Sequence, residues 1–418
     1  MYNLSMLEHS VIKNTFWQIL GRGVAVFCSF LITFLLTRLL GVASYGDYVF
    51  ITTTVLLFFN LADLGVGAIA IREIAKNSNE KQFILGNVFA LKFFLSLLAF
   101  VIFNCLAFCL PQFANLLIAA FFASFSLFFL TIRTVADIFF IAKLEFGKKV
   151  FFEVLASILF LLFVLVFFLK GQGNLSLLMI NWAMAAAVSG LLALWFVFRN
   201  KKGWRWQYNS LGIKKLFGQA FPLGVRQLIF STYDRGIDSF FLKTFLGSLS
   251  VAYYGLAYKV YDNLVLLAAF LMNSLFPILS GIQGQLLVKT FKKAGKILFF
   301  SGLTITFFTL ILAPFLIKIL GGGRFLSSVA ILQILSFALV MAFLNHLIGY
   351  TMIVIEEQKT LLYFSLVALL VNLIGNWFFI SRFGGMGAAG VTVATELTSL
   401  ILGGWFIVKK LSAINDKR

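Results

Sequence analysis

Charge is what this sequence has least of. Charged residues make up 12% of its 418 positions. An ordinary soluble domain carries about 25%, so the shortage excludes a water-soluble globular protein. Acidic residues number 15 against 34 basic, a formal net charge of +19. Such a balance first suggests a nucleic-acid partner. The basic residues sit in short loops between apolar runs, however, so no nucleic acid is expected. Proline occurs only four times, which suits long uninterrupted helices. The three cysteines, Cys28, Cys105 and Cys109, all lie inside apolar runs, with no metal spacing and no even disulfide framework. Cys105 and Cys109 share a helix face and are expected to be small buried packing residues. The two histidines are His9 and His346. No cluster of His, Cys and Asp has metal spacing, and there is neither a nucleotide loop nor a long external loop. An enzyme, a cofactor and a metal are therefore not expected. The opening residues, MYNLSMLEHSVIKN, do not resemble a cleavable signal, so the first apolar run is expected to be a true span.

What the chain has in abundance is apolar sequence. Hydrophobic residues make up 61%, with 53 phenylalanines. The fold class expected is an all-α integral membrane protein. Twelve spans of about 20 residues are read with cores at 16–36, 48–69, 86–109, 114–133, 151–169, 175–198, 218–242, 251–275, 297–320, 326–350, 361–380 and 386–408. Lysine and arginine concentrate in alternate loops, while the loops between carry only Arg38, Lys170, Lys243, Lys318, Arg324 and Arg382. The basic side is expected to be cytoplasmic, with both termini there. The longest link joins spans six and seven and contains Trp204-Arg205-Trp206. Residues 1–198 and 218–418 are thus expected as two six-helix lobes, bridged by 199–217 at headgroup level.

The organising stretch runs from Asn14 to Phe50. It holds an arginine, Arg22, inside an apolar run long enough to span a bilayer. A lone charge there costs about 2.5–3.5 kcal/mol on insertion scales, so it faces protein or water. Asn14, Gln18, Arg22, Ser29 and Thr33 fall within an arc of about 100° on a helix. The theme returns about 204 residues later. Leu20-Gly21-Arg22 has a counterpart in Leu223-Gly224-Val225-Arg226. Leu40-Gly41 with Tyr45-Gly46-Asp47-Tyr48 has one in Leu246-Gly247 with Tyr254-Gly255. Two weakly similar halves in a polytopic chain are the mark of a repeat-built transporter.

The intramembrane charges supply the candidate site. Arg22, Lys92 and Arg226 fall in the cytoplasmic half of their spans, with Asp63 the only acid at that depth. Arg235 and Lys259 lie further out with Asp234, Asp238, Asp262 and Glu396. A cationic inner vestibule suits an anionic substrate arriving from the cytoplasm, and arginine matches phosphate oxygens with a bidentate fork. The competing reading is internal ion pairing, strongest for Lys259 with Asp262 and Arg235 with Asp238 at i,i+3. Asp63 is a spatial partner open to Arg22. Asp63, Glu396 and Asp262 are candidates for ion coupling, with H+ or Na+, or for helix-to-helix hydrogen bonds. Tyr254, Tyr258 and Tyr261 share a face that either stacks on sugar or packs as core.

At these residues the chain resembles the polysaccharide (O-antigen type) flippases of the multidrug/oligosaccharidyl-lipid/polysaccharide exporter superfamily. The matching pieces are Asn14-Thr15 with Gly21; Arg38-Leu39-Leu40-Gly41 with Tyr45-Gly46-Asp47-Tyr48; Asp63-Leu64-Gly65 with Arg72-Glu73-Ile74-Ala75; Tyr254-Gly255 with Ala257-Tyr258; Phe276-Pro277; and Phe383-Gly384 with Gly387-Ala388-Ala389 and Ala394-Thr395-Glu396. Thr37 stands where the family often has alanine, and Phe383 where tyrosine is usual. The resemblance implies two pseudo-twofold-related six-helix lobes around a central cavity, working by alternating access. It implies transport of a polyprenyl (undecaprenyl)-diphosphate oligosaccharide across the bacterial inner membrane for O-antigen, lipopolysaccharide or other surface polysaccharide, alongside other polysaccharide-assembly proteins. The diphosphate is then expected on Arg22 and Arg226, with Lys92 near the entrance and Arg235 and Lys259 as further cavity cations. Two alternatives stand beside it: a multidrug exporter of the same superfamily, and a membrane-embedded polysaccharide polymerase or ligase.

Overall fold

The computed structural model describes residues 4–76, 81–199, 209–232 and 236–415. Trp204-Arg205-Trp206, Asp234 and Arg235 lie outside them, as do the side chains of His9 and Asn14. The described residues form helices and turns with no strand. In order these are α1 (Leu4–Leu39), α2 (Val42–Asp63), α3 (Val66–Lys76), α4 (Lys81–Cys109), α5 (Leu117–Ser124), α6 (Ser126–Ala142) and α7 (Phe146–Lys170). Then come α8 (Leu175–Arg199), α9 (Ser210–Ser231), α10 (Ile237–Leu246), α11 (Ser248–Ser280), α12 (Gly284–Gly321), α13 (Ser328–Val354) and α14 (Gln358–Asn415). Helices suit these apolar runs, because backbone polar groups in hydrocarbon must be satisfied by protein and a helix does so within its own segment.

Among the described residues ten helical stretches are long and apolar enough to cross a membrane, so the chain is a multi-pass membrane protein. The seventh expected span, at 218–242, is described on either side of residues 233–235, as the end of α9 and as α10. The eleventh and twelfth run together as α14, which reverses at Gly384 with φ 58°. The reversal shows in distant positions brought close: a Cβ on Gly375 would touch Val391, and one on Gly387 would lie 2.3 Å from the Phe379 carbonyl oxygen. Only a residue without a Cβ holds that φ cheaply in so tight a turn, so the expected turn at Arg382-Phe383-Gly384-Gly385 is present.

The chain divides into two compact units. The first holds Met1–Ser44 and Ile51–Ser231; the second holds Tyr45–Phe50 and Thr232–Arg418. Arg226 belongs to the first of these units. The core of the first unit gathers Val66, Ala70, Ile74, Val88, Phe140 and Ala220. That of the second gathers Ala268, Met272, Leu298, Phe343, Leu347 and Ile407. Large apolar side chains instead cover the outside, such as Phe108, Leu169 and Phe300, which is the pattern for a lipid-facing surface. Cys28 is buried, whereas Cys105 and Cys109, expected to be buried, are exposed. The last turns of α4 turn that face outward, and a small apolar side chain is as well placed in lipid as in a core.

In the second unit the two copies of the repeated motif meet. A Cβ on Gly46 would lie 1.9 Å from the Ser248 carbonyl oxygen, and one on Gly255 would lie 2.7 Å from Val49. Lys243 Nζ donates to Asp47 Oδ1 at 2.5 Å, and Ser248 Oγ donates to the same oxygen at 2.6 Å.

Candidate functional site

The first unit builds its polar centre on a helix break. α2 stops at Asp63; Leu64 (φ 39°) and Gly65 (φ 73°) both take left-handed backbone, and α3 resumes at Val66. Gly224 of α9 is pressed onto this break, where a Cβ would lie 2.4 Å from the Leu64 carbonyl carbon. The motif glycines of Asp63-Leu64-Gly65 and Leu223-Gly224-Val225-Arg226 are thus two sides of one contact. The break leaves the Asp63 carboxylate beside Lys92 of α4, which donates to Asp63 Oδ1 and to Thr134 Oγ1 at 2.8 Å. Lys92 is wholly buried, while the Asp63 side chain is 32% exposed. A buried ammonium is tolerable only when paired and hydrogen-bonded. Lys92 is therefore engaged inside the protein, and Asp63 partners Lys92.

Arg22 is half-buried on α1 and makes no hydrogen bond or ion pair with the described residues. Its helix is held against α7, where a Cβ on Gly21 would overlap the Val150 side chain. Further along the stripe Thr33 is buried and donates to the Ser29 carbonyl at 2.9 Å. Arg226, also half-buried, lies two residues past the Gly224 contact and is engaged in an interaction of its own. One further pair escaped the sequence reading. Arg133 Nε lies 3.9 Å from Asp137 Oδ2 on α6, and neither Arg133 Nε nor Asp137 Oδ1 has a hydrogen-bond partner among the described residues. The fourth span was expected to end at 133, which put Asp137 in a loop; α6 runs on to Ala142. An acid at i+4 from an arginine was the available signal.

In the second unit the centre is Asp238 of α10, 1% exposed. Tyr254 donates to its Oδ2. Asn376 Nδ2 donates to its Oδ1 at 2.6 Å and lies 2.9 Å from Asn372 Oδ1. Thr392 Oγ1 lies 3.5 Å from Oδ2. Asn376 is fully buried, and its Oδ1 accepts no hydrogen bond from the described residues. A carboxylate, two amide oxygens and two hydroxyls therefore converge in a dry place. That is the donor set of a hard cation or a proton.

The remaining candidates are dispersed. Lys259 and Asp262 are half-buried on α11 and each has an interaction. Asn345 of α13 donates to Glu396 Oε2 at 2.7 Å and to its carbonyl at 2.9 Å, a helix-to-helix link. His346 Nδ1 sits 2.9 Å from the Ala342 carbonyl. Tyr254 and Tyr261 are buried, and Tyr258 packs its ring between theirs at 5.5 and 5.3 Å, a core stripe. Arg235 lies outside the described residues. Among those described, no group of three His, Cys, Asp or Glu side chains is placed to hold a metal ion.

An intramembrane arginine, a buried Lys–Asp pair and a buried Asp–Asn cluster are costly in a membrane protein and mark its functional-site candidates. The polysaccharide biosynthesis protein family matches residues 11–283 of the chain. The chain belongs to that family. No functionally curated protein matches it by sequence. Several solved structures share the fold of this family member. An inward-facing multidrug resistance MATE family transporter of the MOP superfamily aligns with TM-score 0.78 and 16% identity, over 93% of this chain and 95% of that one. The lipid II flippase MurJ in an inward closed conformation aligns with TM-score 0.73 and 16% identity, over 96% and 90%. A MOP superfamily transporter from Pyrococcus furiosus aligns with TM-score 0.68 and 14% identity, over 97% and 96%. At these identities the likeness is one of fold.

Proposed function

We propose that this protein is a flippase that carries a polyprenyl (undecaprenyl)-diphosphate oligosaccharide from the cytoplasmic to the outer face of a bacterial inner membrane, for O-antigen or another surface polysaccharide. The observation that carries the reading is Arg22, a cation inside a span with no acid or hydrogen-bond acceptor against it among the described residues. Such a charge is retained for a ligand of opposite sign, and in a polysaccharide biosynthesis family that ligand is a lipid diphosphate. Arg22 and Arg226 would grip the diphosphate. Lys92 would hold Asp63 in place rather than meet the substrate. Alternating access would expose the site to each side in turn.

Ion coupling is assigned to Asp238 with Asn372, Asn376, Thr392 and Tyr254, in preference to Asp63, Glu396 or Asp262. Asp63 is taken by Lys92 and Glu396 by Asn345. The cluster keeps a buried, unsatisfied amide oxygen on Asn376, which a bound cation would satisfy.

The test is translocation of a polyprenyl-diphosphate oligosaccharide in reconstituted vesicles, with Arg22→Gln and Arg226→Gln beside the parent. Parent activity that falls at least tenfold in both variants, with thermal stability kept, is the expected result. Parent activity unchanged by Arg22→Gln would reduce that arginine to a structural residue. The second reading, a drug exporter, draws on the likeness to the MATE structure. Efflux of a cationic dye by the same vesicles, with no flipping of the lipid, would favour it.

A further inference from the structure

The longest acid-free stretch of the chain lies in the second unit: no Asp or Glu occurs between Asp262 and Glu356. Inside it, α12 carries Lys289, Lys292, Lys293 and Lys296 near its start. Positions i, i+3, i+4 and i+7 share one face within an arc of about 100°. All four lysines are exposed. None makes a hydrogen bond, ion pair or ring contact with the described residues. Some other lysines near helix ends are paired: Lys148 with Glu145, Lys149 with Glu153, and Lys410 with Glu357.

What the stripe faces follows from the rest of the helix. The opposite face of the same turns, Leu287, Val288, Ala294 and Leu298, is buried in the core of the unit. Further along, Phe300, Leu303 and Phe307 continue the lysine line at 62%, 47% and 58% exposure. Large apolar residues exposed on a membrane-crossing helix face acyl chains. The lysines lie on that same line, one stage closer to the helix start. They therefore face the surrounding bilayer rather than a protein-lined cavity. The stripe covers about 10 Å of helix axis, close to the depth of a headgroup layer, and lysine stems reach that level readily.

We infer that Lys289, Lys292, Lys293 and Lys296 form a binding site for anionic phospholipid headgroups on the outside of α12. The lysines act as unpaired point charges for headgroup phosphates, and the phenylalanines below them receive the acyl chains. A lysine near an anionic surface strengthens association by about fivefold. The site does not depend on what the protein transports.

The test uses the full chain in phosphatidylcholine vesicles containing spin-labelled phosphatidylglycerol or spin-labelled phosphatidylcholine. The protein-associated fraction of each probe is measured. The parent is expected to favour phosphatidylglycerol by about tenfold at low salt, and about 1 M salt should abolish most of that preference. K289Q/K292Q/K293Q/K296Q is expected to lose it, whereas K148Q/K149Q keeps it. If the fourfold variant fails to insert, K292Q/K293Q should show a smaller loss in the same direction. An unchanged preference in either α12 variant overturns the assignment. So does equal loss in K148Q/K149Q. Enrichment of an added polyprenyl diphosphate without enrichment of phosphatidylglycerol overturns it as well, by giving the stripe to the substrate.

Discussion

Gly224 lies so close to Leu64 that a Cβ on the glycine would come within 2.4 Å of the leucine's carbonyl carbon and oxygen. The neighbour is backbone, in the left-handed link between α2 and α3, and cannot swing aside as a side chain would. Gly224→Ala is expected to cost about 1–3 kcal/mol of stability, read as a lowered melting temperature in detergent. Because Arg226 lies two residues on, transport should fall further than the melting shift alone explains. An alanine variant with parental stability would show that the link yields.

The Lys92–Asp63 pair gives a double-mutant cycle. Lys92→Met should leave Asp63 with a lost partner, and Asp63→Asn should leave a buried ammonium uncompensated. Removing one member of a buried pair costs about 3–5 kcal/mol. The double variant Asp63→Asn with Lys92→Met is expected to be more stable than Asp63→Asn alone. Additive losses in the melting temperature would mean that the two groups do not act as a pair.

For Asp238, neutral replacement separates coupling from packing. Asp238→Asn keeps the volume and removes the charge. Flipping by the parent is expected to rise with an imposed proton or sodium gradient, and the variant is expected to lose that response while remaining folded. Asn376→Leu, which removes the unsatisfied amide oxygen, should weaken the response in the same direction. A gradient response retained in Asp238→Asn would move the coupling site elsewhere.

Glu357, in the link between α13 and α14, gives a pH prediction. Lys410 Nζ lies 2.6 Å from its Oε1, and Thr360 donates to its Oε2 at 2.8 Å. The Lys410 hydrogen bond, then that of Thr360, holds the carboxyl below its ordinary value. A depressed carboxylate contributes stability above its unfolded pKa, about 4.3, and loses it as pH falls through the lower folded value. The melting temperatures of parent and Glu357→Gln should therefore differ slightly at neutral pH and converge below about pH 4. The pair is exposed, so added salt should also narrow the gap. A gap that widens on acidification would contradict the sign.

The sequence revealed the transmembrane helices and the intramembrane charges because both are written locally. An apolar run of about 20 residues needs no partner to be read, and Arg22 is conspicuous inside one. Partner choice was illegible because it is not local. Lys92 meets Asp63 29 residues away, and Asp238 meets Asn376 and Thr392 138 and 154 residues away. A sequence displays only local partners, at i,i+3 or i,i+4, and the i,i+3 spacing directed Asp238 to Arg235. Cys105 and Cys109 were misjudged as buried because lipid and protein core select the same residue types. Only the rotation of α4 distinguishes them.

The reversal at Gly384 has a bearing on the Asp238 cluster. Asn376 and Thr392 stand equally far from that glycine, eight positions before it and eight after, and both reach the same carboxylate. The turn is thus a ruler that sets the register of the two arms of α14. One residue added beside Gly384 would advance the second arm by about 1.5 Å and rotate it by about 100°. Thr392 would then be carried off the cluster while every side chain in it stayed unchanged in kind.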